Sequence, residues 1–296
     1  MGKKVGLSIS ALQRLYGDME ALDKAKELGC NTIDFSLEAR DYRRVGDKYS
    51  LPDEEIYKYY SEVGQYAKEI GIEISQTHGR LKGFKLDEEE NKAVLVNARL
   101  DCLATAALGA PVTVMHSVTT CNVGPDFPAK KIREMNFDMF SKILPFAKEF
   151  NVNVALETFG DAPNYGCVDF FGNPQELFDC YMRLRHETPY ADYVSLCVDT
   201  GHCNKASRFG YAKPADVIRM FKGHISTLHL NDNDTLTDQH KPPRTGCIDW
   251  DEVMAALDEV GYEGAYNMEL ALGCFGKNLI LDTAALSVKI MRDLLK

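Results

Sequence analysis

Residues 195–230 read SLCVDTGHCNKASRFGYAKPADVIRMFKGHISTLHL. Two short runs rich in apolar and β-branched residues, SLCVD and ISTLH, flank a segment of helical period, PADVIRMF. Short runs of that kind bounded by polar residues read as strands, while apolar residues three and four apart read as one face of a helix. Pro214 falls where the first helical residue needs no N–H partner. The stretch therefore predicts a strand, a loop over Thr200–Lys213, a helix and a second strand. Strands joined through a helix run parallel, so both end at the same edge of a sheet. Both also end on metal-ligating residue types, Asp199 and His229.

The same alternation continues in both directions. Toward the N-terminus lie VGLSI with MEALDKAKEL, NTIDF with DEEIYKYYSEVGQYAKEI, IEIS with NKAVLVNARLDCLATAAL, VTVM with KKIREMNFDMFSKILPFAKEF, and VNVAL with PQELFDCYMRL. Toward the C-terminus, ISTLHL is followed by DEVMAALDEV, and GAYNM by LILDTAALSVKIMRDLL. Eight such units in 296 residues predict an α/β fold, a single (β/α)8 TIM barrel over residues 1–296 with its active site at the C-terminal ends of the strands. Several predicted helices end in glycine, at Gly29, Gly71, Gly109 and Gly261, where a left-handed cap turns the chain quickly into the next strand. Loops after strands are long by contrast: Glu38–Pro52, Ser117–Pro128, Thr158–Asn173, Thr200–Lys213 and Asn231–Asp249. Barrel enzymes build their sites from loops on that side. Pro174 is expected to open a helix, and Pro145 to kink or interrupt one.

Composition narrows the partners. At 45% hydrophobic and 26% charged the chain is ordinarily globular. A net charge of −10 weakens any reading as a nucleic-acid or anionic-membrane binder. No apolar run reaches the roughly 18 residues of a membrane span, and MGKKVGLSIS lacks the core of a signal peptide. We expect a cytoplasmic protein, a homodimer or tetramer. Nine cysteines without a CxxC pair read as reduced, mostly buried thiols.

Four runs end on ligand types: VALE at Glu157, SLCVD at Asp199, ISTLH at His229 and AYNME at Glu269. Five of the seven histidines also follow strand-like runs, whereas His186 and His224 fall in or after predicted helices and read as structural. One acid at a strand end is ordinarily a helix cap. Four ligand types from neighbouring strands are what a metal needs, because the donors must meet about 2 Å from one ion. Three carboxylates and an imidazole suit Mn²⁺, Zn²⁺, Mg²⁺ or Co²⁺.

The segments LETFGD, VDTGHCNKA, LHLNDND, DQHKPPRTGCIDW and GYEGAYNMEL resemble the xylose isomerase-like TIM barrels, the sugar phosphate isomerase/epimerase superfamily that also includes type IV apurinic endonucleases. The resemblance implies that Glu157, Asp199, His229 and Glu269 hold a divalent metal, with Mn²⁺ or Zn²⁺ favoured. It also implies that Glu157 and Glu269 are the catalytic acid/base pair and that His202 lies beside the substrate. His78 in SQTHG and His116 in VMHS, with His202, Asp238 and His240, complete a pattern similar to the nine ligands of the trinuclear endonuclease centre. The other reading of His78, His116 and His240 is hydrogen bonding to sugar hydroxyls or to the carboxylates that hold the metal, rather than binding metal. Thr235 stands where the ketose 3-epimerases carry an arginine. Arg80 and Arg244 are candidate anion contacts, with solvated loop charges as the alternative.

The expected activity is a divalent-metal-dependent sugar or sugar-phosphate isomerase or epimerase working through an enediolate. A dehydratase of a polyol or keto-inositol is the close variant, and a trinuclear-zinc phosphodiesterase the distant one. Strand-exit loops of mixed charge, EARDYRRVGDKYSLPDE and NDNDTLTDQHKPPR, suit a closed pocket for a small carbohydrate better than a nucleic-acid duplex.

Overall fold

Residues 2–296 are described in a computed structural model of the protein. Its sheet comprises β1 (Lys4–Ser8), β2 (Thr32–Ser36), β3 (Glu73–His78), β4 (Val112–Met115), β5 (Asn153–Glu157), β6 (Val194–Asp199), β7 (Ile225–His229) and β8 (Ala265–Met268). All neighbours pair in parallel in the order β8-β1-β2-β3-β4-β5-β6-β7. The seam between β7 and β8 is bridged at Leu230 and Met268, with Leu230 N–H donating to Asn267 O at 2.9 Å. The sheet is thus a nearly closed barrel, and the expected fold is observed.

The strands are buried on both faces, which is why they read as nearly continuous apolar runs. Ile33 and Phe35 of β2, Leu156 of β5 and Leu228 of β7 join the main core between sheet and helices. Val112, Val114, Ala155 and Cys197 form a separate apolar cluster, on the face that Ala155 shares with Glu157 two residues on. Within that frame two irregularities change which residues face inward. The β2–β3 register passes from Ile33↔Ile74 to Asp34↔Gln76, leaving Ser75 as an extra residue. The β6–β7 register passes from Leu196↔Ile225 to Cys197↔Thr227, leaving Ser226 as an extra residue. Strand side chains alternate, so one inserted residue exchanges the faces of everything beyond it.

Glycines end the helices as expected, with positive φ at Gly29, Gly71, Gly109 and Gly261. Pro174 and Pro214 open the helices Pro174–Glu187 and Pro214–Met220. One expectation is corrected and one is narrowed. The predicted loop Thr200–Lys213 begins with a helix, Thr200–Ser207, because Asp199 caps it by accepting from His202 N–H at 2.6 Å. The helix Ala129–Phe150 runs uninterrupted past Pro145. A proline in mid-helix removes one hydrogen bond, while Ile143, Leu144 and Ala147 around it stay fixed in the core. Elements not anticipated are the helix Ser10–Tyr16, the turn of helix Thr120–Val123 and a small hairpin of Asp161–Ala162 with Cys167–Val168. Among the described residues no helix is long and apolar enough to cross a membrane.

Candidate metal centre

Each barrel strand from β3 to β8 delivers a site residue at its C-terminal end or just beyond it. His78 closes β3, His116 follows β4, Glu157 closes β5, Asp199 closes β6, His229 closes β7 and Glu269 follows β8. Four of them, His78, Glu157, His229 and Glu269, each offer a donor atom within 4.8 Å of the others. Three of the four residues expected to hold the metal therefore meet, and His78 completes the group. Glu157 Oε1 is 2.7 Å from His229 Nδ1, and its Oε2 is 3.1 Å from His116 Nε2. Glu269 approaches His78 Nε2 and His229 Nδ1, both at 3.6 Å. The His78 and His229 rings stack at 5.1 Å, and His116 meets His78 edge-on at 5.2 Å.

Asp199 belongs to a second group, with His202 and His240. Besides capping its helix it accepts from Asn231 Nδ2 at 2.7 Å. That side chain lies over Gly201, where a Cβ would collide with Asn231 Oδ1, so the position requires glycine. The groups are neighbours: His202 Nδ1 lies 3.8 Å from both Asp199 and Glu157. The His202 ring stacks on Phe159 and its Nε2 lies 3.7 Å from Asp238. His240 reaches the same Asp238 oxygen at 3.3 Å, and its Nδ1 donates to the Glu269 carbonyl at 3.0 Å.

Among the arginines the structure corrects both anion-contact readings. Arg244 is not brought to the site; its Nη1 donates to Asp293 at 3.0 Å on the last helix, Ile280–Leu294. Arg80 is buried rather than solvated, paired through Nε with Asp101 at 2.8 Å, while Tyr49 donates to the same carboxylate at 2.7 Å. A buried guanidinium is retained only where a carboxylate and further acceptors meet it. His224 accompanies Tyr181 at 2.9 Å, away from the cluster.

Electrostatics explain how these groups coexist. Burial works to raise the Glu157 carboxyl, but His229 and His116 hold it well below the usual range. Glu269 is likewise lowered against burial by His229, His240 and His78. Burial disfavours charge on His229, yet Glu269, Glu157 and the bond to Asp34 carry it well above an ordinary imidazole. Desolvation similarly opposes a charged His240, which Asp238, Glu269 and Asp199 nevertheless raise to about 9. Burial dominates at Asp199 and raises it. Clustered carboxylates thus hold protons on the histidines, and a divalent cation binds such a site by displacing them. The donors fit one: imidazole nitrogens and carboxylate oxygens converge, and the buried Glu157 Oε2 makes no hydrogen bond, its nearest neighbour being His116 Nε2 at 3.1 Å.

Sequence reasoning missed Asp34. It is fully buried in β2, accepts from His229 Nε2 at 2.9 Å and also accepts from Gln76 Nε2 at 3.1 Å. The available signal was a carboxylate between Ile33 and Phe35 in a strand otherwise fit for burial on both faces. Thr158, whose carbonyl lies 2.9 Å from His202 Nδ1, carried no such signal.

A family model described as a xylose isomerase-like TIM barrel matches residues 22–285. Uncharacterised proteins from Sinorhizobium fredii and Methanocaldococcus jannaschii are 26% and 24% identical over 62% and 68% of this chain, and the matches span 53% and 64% of their own lengths. D-Psicose 3-epimerase of Enterocloster bolteae is 23% identical over 84% of this chain and 75% of its own. Among solved structures, a putative xylose isomerase from Rhodospirillum rubrum superposes with a TM-score of 0.80 at 18% identity, covering 99% of each chain. An IolI protein with a bound zinc atom superposes with a TM-score of 0.70 at 17% identity, covering 98% of this chain and 96% of its own.

Proposed function

The chain belongs to the xylose isomerase-like TIM barrel family, and from that premise we propose that it is a divalent-metal-dependent isomerase or epimerase of a small carbohydrate. The observation that carries the reading is the convergence of His78, Glu157, His229 and Glu269 donors within 4.8 Å of one another at the strand ends. Relatives named as epimerases and inosose isomerases support it. Mn²⁺ or Zn²⁺ suits the mixed imidazole and carboxylate donors.

When bound, the ion supplies Lewis-acid polarisation of a carbonyl and its neighbouring hydroxyl, which acidifies the C–H between them. The residues do the rest. Glu157 and Glu269 enter from β5 and from the loop after β8, on two sides of His229, so a reacting carbon between them is within reach of both carboxylates. One takes the proton and the other returns it. Return to the opposite face of the same carbon gives epimerisation, and return to the neighbouring carbon gives aldose–ketose isomerisation. Loss of a β-hydroxyl from the same enediolate gives the dehydratase variant. His116 and His202, with Phe159 packed against both rings, border this space, and His202 Nε2, 3.7 Å from Asp238, is the nitrogen a substrate hydroxyl would meet.

A second reading, hydrolysis of a phosphodiester at several ions, draws on one observation, the adjacent Asp199, His202 and His240 group with Asp238 beside it. The loops argue for the sugar: Arg43 pairs with Asp41 and Glu90, Arg44 with Asp47 and Arg244 with Asp293. Those cations are already neutralised, whereas a duplex-binding face presents free ones.

The test is solvent deuterium incorporation into a panel of ketoses and keto-inositols with Mn²⁺ or Zn²⁺ added. Exchange that disappears in Glu157→Gln and Glu269→Gln is expected. Exchange persisting in both variants, or three tightly bound zinc ions with cleavage of an abasic oligonucleotide, would overturn the reading.

A further inference from the structure

We propose that Asp34 is a positioning residue that fixes the His229 ring so that Nδ1, not Nε2, is the atom offered to the metal. The inference rests on the metal-dependent reading above and names how this chain sets one of its ligands. His229 has both ring nitrogens committed, Nδ1 at 2.7 Å from Glu157 Oε1 and Nε2 at 2.9 Å from Asp34 Oδ2. An ionised carboxylate only accepts hydrogen bonds, so both ring nitrogens of His229 face acceptors; an ion bound beside Glu157 and Glu269 would replace the proton on Nδ1, the nitrogen that faces them, while Asp34 keeps the one on Nε2. A hydrogen bond to the remote ring nitrogen is what sets tautomer and orientation in metal-bound histidines.

The arrangement is built into the barrel. Gln76 donates from Nε2 to the same Asp34 oxygen at 3.1 Å and fixes the carboxylate in turn. Both bulges serve this contact. Ser75 places Gln76 opposite Asp34 on the inward face, and Ser226 places His229 opposite Asp199 with its ring inward. Each extra serine is itself tied down, Ser75 Oγ to Thr32 at 2.7 Å and Ser226 Oγ to Ser195 at 2.6 Å. With His229, Asp34 and Gln76 all fully or almost fully buried, water has no access to substitute for the missing partner.

The measurement is Zn²⁺ binding to the full chain by competition titration, together with long-range ¹H–¹⁵N spectra of the histidines in the zinc-loaded protein. In the wild type we expect His229 to be bound through Nδ1 and protonated at Nε2. Asp34→Ala should weaken Zn²⁺ by about 10–100-fold and change the visible spectrum of the Co²⁺ form. Asp34→Asn, which keeps an acceptor without the charge, should weaken it by only a few fold. A merely structural role for Asp34 would lower Tm and leave the affinity and the Co²⁺ spectrum unchanged, which overturns the proposal. Zinc on Nε2 in the wild type overturns it without any variant, so a failure of Asp34→Ala to fold leaves the question answerable. Failure of the wild type to bind Zn²⁺, Mn²⁺ or Co²⁺ overturns both this inference and the metal-dependent function, whereas binding through Nε2 overturns this inference alone.

Discussion

The two donor groups at the barrel mouth use the same residue types and lie side by side, yet they are held by different means. In the first, His78, Glu157 and His229 are carried on strand ends with side-chain exposures of 2%, 0% and 0%, and only Glu269, just past β8, is partly open at 18%. In the second, Asp199 is buried at the end of β6, while His202 and His240, with Asp238 beside them, sit on a helix and a long loop and are exposed by 12%, 19% and 43%. The loop takes left-handed backbone at Thr235, His240 and Arg244, whereas the strand-borne group rests on a hydrogen-bonded ladder. Positions fixed by packed strands are more exact than positions fixed by loops. The strand-borne group is therefore suited to hold an ion and move a proton, and the loop-borne group to meet the substrate and adjust to it.

Four experiments bear on that contrast. The largest effect is expected at the carboxylates: Glu157→Gln and Glu269→Gln should each slow solvent exchange by about 10²–10⁴-fold, measured by deuterium incorporation. Removal of the ion comes next. Saturation at about 100 times Kd stabilises a protein by roughly 2.7 kcal/mol, so chelation should lower Tm by roughly 4 °C in a chain of this length, and His229→Ala should lose that difference altogether.

The third effect is the pH dependence of the metal-free protein. His240 is raised to about 9, above its ordinary value, so its contribution is fully present below about pH 6.5 and is lost as pH rises through about 9. His202 and His229 shift in the same direction, each against its burial. Metal-free Tm should therefore fall over that window, with His240 contributing at most about 2 kcal/mol after allowance for its partial exposure. The gap between metal-loaded and metal-free protein should widen as the competing protons leave. The smallest effect is expected at the rim, where His240→Ala should cost exchange about tenfold or less and leave the tight ion in place. A loss there equal to that of the glutamate variants would show that the two groups act as one centre.

The barrel and the gathering of candidate donors at its mouth were legible in the sequence because both rest on short-range regularities. Alternating runs of period two and 3.6 locate β/α units, and a ligand type at the end of a run marks the active edge. The four-ligand set was only partly legible. Asp199 ends its strand as expected, yet its carboxylate caps the following helix and joins His202 and His240, while His78 takes a place beside Glu157 and Glu269. Arg80 and Arg244 illustrate the same limit, since a loop arginine looks alike in sequence whether it meets Asp101, Asp293 or solvent.

By itself the sequence determined eight parallel strands wrapped in helices, with acids and histidines gathered at one rim, since local periodicity and strand-end residue types decide those things. Only the tertiary structure decided which candidate donors lie within reach of one another and which ring nitrogen of His229 faces Glu157 and Glu269. The reason is range. Asp34 and His229 lie 195 residues apart, and their meeting depends on one extra serine in each of two strands, which no local pattern around either residue specifies.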